Sequence, residues 1–119
     1  MSTLRVNTIQ NAAGSGDPTL NGTAKAWVNF NGTGTVSIRA SFNVTSITDN
    51  GTGDYTVNFT NALADANYSI CGTTGDTVAN NVFIAGANAA PTTLAYRFNA
   101  RTTSNTNADM PYLNAAFFR

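Results

Sequence analysis

Histidine and glutamate are absent from this chain, and lysine and cysteine occur once each, at Lys25 and Cys71. Each absence excludes something. Without His or Glu, acid–base chemistry would fall to Asp17, Asp49, Asp54, Asp65, Asp76 and Asp109, which all sit in turn or linker contexts, so no enzyme is expected. A single cysteine excludes an internal disulfide and a cysteine-rich metal site. Its expected role is that of a small buried hydrophobe. Glu, Lys and Gln, which normally cover surface helices, are missing or scarce, so helices are not expected. Only 10% of the residues are charged, and Lys plus Arg equals Asp plus Glu at six each. That balance argues against nucleic acid or an anionic membrane as partner. No window is long and apolar enough to span a bilayer, and MSTLRVNTIQ lacks the apolar run of a signal peptide. A soluble chain made in a cytosol is expected. GSGDP, from Gly14, lacks the Lys and the following helix of a phosphate loop, and no cofactor is expected.

What the chain does contain is Asn, Thr, Ser and Gly, which suit turns and solvent-facing strand positions. At 119 residues it fits one domain with a real core. Residues 1–24 read as an N-terminal arm and linker: Leu4, Val6 and Ile9 make a short strand-like apolar rhythm, followed by a Gly/Pro-rich stretch with little to bury. Residues 25–119 read as the folded domain. KAWVNF places Ala26, Val28 and Phe30 on one face and Trp27 on the other. Val36, Ile38, Ala40, Phe42 and Val44 then alternate without a break, which predicts a single half-buried antiparallel strand. Tyr55, Val57 and Phe59 resume the alternation, and further strands are expected at 68–71, 82–85, 94–100 and 112–118. The predicted fold is all-β, an antiparallel β-sandwich or jelly roll preceded by the arm.

NGTG occurs twice, at Asn31–Gly34 and, inside DNGTGD, at Asn50–Gly53. Asn-Gly favours positive φ at both central turn positions, so Asn31-Gly32 and Asn50-Gly51 are read as hairpin turns. A calcium loop on Asp49 and Asp54 is the weaker reading, because calcium takes about six to eight oxygens and few are at hand. Asn-X-Ser/Thr triplets at Asn21, Asn31, Asn43, Asn50, Asn58 and Asn67 suggest glycosylation, but a chain so rich in Asn and Thr produces them by chance. In LAYRFNARTT, Leu94, Tyr96, Phe98 and Ala100 take the inward phase. Arg97, Asn99 and Arg101 then form an outward row for solvent, a neighbouring subunit or a carbohydrate. Trp27, opposite in phase to Val28 and Phe30, faces another subunit, a ligand or a second sheet layer. Leu4, Val6 and Ile9 lie beyond a linker of about a dozen residues that can reach well past the domain. Pairing with a neighbour would satisfy the arm's backbone and its apolar side chains.

STLRVNTIQNAAGSGDPTL, then AKAWVNFNGTGTVSIRASFNVTSITDNGTGDYTVNFTNALADANYSI, and the final AAFFR together resemble the small β modules of tail-fibre and other virion structural proteins of bacteriophages, cyanophages especially. The resemblance implies a homotrimer located in the virion, assembled in the host cytoplasm, with the arm contacting other virion proteins. It leaves two functions open. One is a trimeric tail-fibre or tip module that attaches to the host surface, a surface glycan among its partners. The other is a capsid decoration protein that cements the shell.

Overall fold

The computed structural model describes residues 2–6, 22–76, 81–85 (backbone) and 89–119. Among these there are eight strands and no helix: β1 Ala24–Asn31, β2 Ser37–Phe42, β3 Val44–Gly51, β4 Asp54–Phe59, β5 Ser69–Gly75, β6 Asn81–Ala85, β7 Ala95–Thr102 and β8 Tyr112–Phe118. They form two antiparallel four-stranded sheets, a front sheet in the order β2-β1-β8-β5 and a back sheet in the order β3-β4-β7-β6. The hairpins β1–β2, β3–β4 and β6–β7 each stay within one sheet. The described fold is thus all-β, as expected, with two antiparallel sheets in keeping with a β-sandwich.

The four central strands supply most of the core at period two: Ala26, Val28 and Phe30 from β1; Leu113, Ala115 and Phe117 from β8; Tyr55, Val57 and Phe59 from β4; Tyr96, Phe98 and Ala100 from β7, all buried. On β1, β4 and β7 these are the phases that the alternation predicts, because a side chain on a pleated strand has only two directions to choose from. Aromatic rings join the sheets edge to face. Phe30 meets Tyr55 at 5.3 Å and Phe98 at 6.1 Å, and Phe117 meets Phe59 at 4.9 Å and Tyr96 at 5.7 Å. Each such pair adds roughly 0.5–1.5 kcal/mol beyond the area it buries. Leu94 departs from the expected phase. It lies before β7 and is exposed, with its carbonyl accepting from Phe59 N–H.

The unbroken strand expected from Val36 to Val44 is two strands in two different sheets. A bulge changes the phase first: Asn29 pairs with Ala40 but Phe30 with Ile38, which leaves Arg39 as the extra residue. Ala40 and Phe42 thereby share the outward side with Asn29 and Trp27. Asn43 then turns the chain into the back sheet with φ 54°, a conformation that Asn tolerates better than most residues. Its amide donates to the carbonyls of Lys25 and Asn61, both at 3.1 Å, and its Oδ1 accepts from Asn61 N–H at 2.8 Å. The corner is fixed by partners distant in sequence, which a local apolar pattern does not register.

Both NGTG segments close hairpins, at other positions than expected. In the first, Asn31 pairs with Ser37, so residues 32–36 form the loop. In the second, Gly51 pairs with Asp54, so Thr52-Gly53 is the turn and Asn50 sits at a bulge in β3. The two loops meet at one end of the sandwich. Tyr55 hydroxyl donates to Asp109 Oδ1 at 2.7 Å and lies 3.0 Å from the Gly32 carbonyl, while Gly53 N–H donates to the same carboxylate oxygen at 2.8 Å. Burial, and then the hydrogen bond to Asp109, push the Tyr55 phenol above its ordinary range.

Candidate interaction surface

The outward positions of the front sheet follow from its register. Phe42, Trp27, Ala116 and Cys71 are successive cross-strand partners and form one row across all four strands. Ala40, Asn29, Asn114 and Thr73 form the next row, Tyr112 pairs with Gly75 beyond it, and Phe118 pairs with Ser69 on the other side. Trp27, Phe42, Phe118 and Tyr112 are between 38% and 51% exposed. Trp27 and Phe42 are neighbours in one row with Phe118 beside it, whereas Tyr112 lies beyond the polar row, and exposed apolar surface of this kind makes the front sheet the candidate interaction surface.

The polar row is already joined within the sheet. Arg39 Nη1 donates to Asn29 Oδ1 at 3.3 Å, Asn29 Nδ2 to Asn114 Oδ1 at 2.7 Å, and Asn114 Nδ2 to Thr73 Oγ1 at 3.3 Å. Arg39 also donates to the Pro111 carbonyl at 2.6 Å and lies 4.8 Å over the Tyr112 ring. No carboxylate stands among these outward residues.

The back sheet presents a different surface. On β3, β4 and β7 its outward side chains are Ser46, Thr48 and Asn50; Asp54, Thr56 and Asn58; and Ala95, Arg97, Asn99 and Arg101. Asn58 Nδ2 reaches Thr48 Oγ1 at 2.9 Å and Asn50 Nδ2 reaches Thr56 Oγ1 at 2.8 Å. Arg97 clamps Asp54 with two bonds, of 2.8 and 2.7 Å, and this hydrogen bonding holds the Asp54 carboxyl below the usual carboxylate range. Arg101 is held by three amide oxygens, of Asn107 and Asn105 at 2.8 Å and of Asn99 at 3.3 Å.

These contacts revise the expected row of surface residues. Asn99 is fully buried and donates to the Gly53 carbonyl at 3.2 Å, so it is no contact residue. Arg97 and Arg101 are half-buried and engaged with their own chain. Cys71 is exposed instead of buried, because it falls on the outward phase of the edge strand β5. Trp27 has the outward placement that its phase predicts. Leu4 and Val6 are exposed in residues 2–6, which show no strand, and Ile9 lies outside the described residues. The sequence reading missed Phe42, which the Arg39 bulge reverses, and Phe118 and Tyr112, which lie on β8 in the phase opposite to the buried Phe117.

Among the described residues no group of three or more His, Cys, Asp or Glu side chains is placed to hold a metal ion. A scan against protein-family models, a search of curated proteins and a search of solved structures each find no match to this chain.

Proposed function

We propose that this chain is a non-catalytic structural module of a phage virion, a homotrimeric tail-fibre or tip module that attaches to the host surface. The observation that carries a binding role is the outward side of the front sheet, where Trp27, Phe42 and Phe118 are exposed beside a row of joined amides and no carboxylate. The virion setting and the trimer rest on the sequence resemblance. The engagement of three of the six aspartates supports a role without catalysis: Asp54 is clamped by Arg97, Asp65 by Arg119, and Asp109 binds Tyr55 and Gly53 N–H. Such carboxylates act as structural acceptors, since each is matched to a donor of its own chain.

Immunogold labelling of intact particles with antibody to this chain tests the reading. Label at tail ends supports attachment, label distributed over the head transfers the chain to capsid decoration, and particles without label refute the virion role.

A further inference from the structure

We infer that the outward side of the front sheet is the surface through which copies of this chain assemble. The inference rests on the proposed homotrimer and names the residues that would join it. Three properties of the face favour another protein layer over a soluble ligand.

The first is desolvation. The polar side chains in the middle of the face, Asn29, Asn114 and Thr73, are hydrogen-bonded to one another and to Arg39. Removing water from a joined ladder leaves few unmet donors or acceptors, so covering it costs little. A saccharide would need those same groups for its hydroxyls. The second is the position of the anchor. Trp27 and Ala116 lie on β1 and β8, the two inner strands of the front sheet, with Phe42 and Cys71 at its edges. A large aromatic at the centre of a patch is where binding energy concentrates in protein interfaces.

The third is area. Strands of six to eight residues, four abreast at about 4.8 Å and rising about 3.3 Å per residue, give a face of roughly 20 by 25 Å. Three such faces turned toward a common threefold axis would each meet two neighbours and together cover roughly 1,500 Å², a modest area for a specific assembly. Contact of this extent makes assembly dependent on concentration. A single sugar ring on Trp27 would leave Phe42 and Phe118 wet. The cations at the margin, Lys25 and Arg39, discourage close overlap of identical corners and favour an offset arrangement of copies.

The test is sedimentation of the full chain at micromolar concentration, together with maleimide labelling of Cys71. The wild type should sediment near three times the 12.4 kDa chain mass, and its Cys71 should lose reactivity as concentration rises. Trp27→Ser with Phe42→Ser should weaken assembly roughly 30-fold or more, with Cys71 reactive at every concentration. Thr56→Lys, on the outward side of the back sheet, should assemble as the wild type does. A thermal melt confirms that each variant is folded, and the Cys71 labelling of the wild type gives an answer that depends on no variant. Assembly that survives the double substitution with Cys71 still reactive would overturn this surface while leaving the homotrimer standing. A wild type that stays monomeric throughout overturns both, and quenching of its Trp27 fluorescence by neutral saccharides would then assign the face to a glycan.

Discussion

The two NGTG segments are identical in sequence and opposite in use. In the first, Gly32 is the packed glycine: a Cβ there would run into the Tyr55 hydroxyl and come within 2.7 Å of a Leu113 methyl, whereas Gly34, at φ 62°, has open space around it. In the second the roles are exchanged. Gly51, at φ 129°, is open, while a Cβ on Gly53, at φ 61°, would lie 2.5 Å from both Ala100 O and Ala108 N. The caps differ too. Asn31 Oδ1 receives Thr33 N–H at 3.0 Å, but in the second loop Asp49, one residue before the repeat, receives Gly51 N–H at 3.0 Å. The tetrapeptide supplies the capacity to turn, and its neighbours decide which glycine is indispensable.

The largest effect should come from the packed glycines. Gly53→Ala combines a left-handed φ with contact against backbone that cannot swing aside, and about 3 kcal/mol of lost stability is expected. Gly32→Ala meets side chains instead, and the Tyr55 ring can yield only by releasing Asp109, so about 2 kcal/mol is expected. Thermal melts of purified variants measure both. If Gly53→Ala melts within about 2 °C of the wild type, the close approach to Ala100 and Ala108 is not real.

Tyr55→Phe should rank next. It removes the hydroxyl between the two loops, leaving Asp109 with Gly53 N–H as its donor among the described residues and the Gly32 carbonyl without its side-chain partner. A loss of roughly 1–2 kcal/mol is expected. A double-mutant cycle with Asp109→Asn checks whether the two act together, and strictly additive losses would show that the loops are held separately.

How far this was legible in the sequence differs by element. β4, β7 and β8 were readable because each keeps one sheet, one phase and an apolar side, as Tyr55, Val57 and Phe59 do. β2 and β3 were not, because the Arg39 bulge and the Asn43 corner take their geometry from Asn29, Lys25 and Asn61, none of them local. The turn centre at Thr52-Gly53 was missed for the same reason: Asn50-Gly51 is the stronger local signal, but the space between Ala100 and Ala108 admits a glycine two residues later. Of the candidate surface, Trp27 was visible from its phase alone. Asn99 was misplaced because an outward phase does not imply exposure when Arg97 and Arg101 lie on either side of it.

Gly34→Ala should cost less than any change above, about 1 kcal/mol, because it pays only the left-handed backbone term and meets no atoms. Measured beside Gly53→Ala, whose φ is nearly the same, it separates backbone strain from crowding. Equal losses at the two positions would mean that surroundings contribute nothing and that the repeat is as symmetric in energy as in sequence.

The smallest effect concerns the residue that follows each repeat, Thr35 after the first and Asp54 after the second. Only the second loop therefore carries a charge, and Arg97 holds it by a bidentate pair whose side chains are 32% and 13% exposed. With the pair this near the surface, Arg97→Gln should lower stability only slightly at pH 7. The pH dependence has a definite sign. Arg97 lowers the Asp54 pKa in the folded chain, so its contribution is complete above the unfolded value of about 3.9 and is lost as pH falls through the lower folded value. Melts of wild type and Arg97→Gln should accordingly differ at neutral pH and converge under acid conditions, while Gly34→Ala keeps a constant offset. A gap between wild type and Arg97→Gln that stays constant, or widens in acid, would show that the charge on Asp54 is not what ties the second loop to β7, leaving the Asn99 amide and Ala100 N–H to hold it through the Gly53 carbonyl.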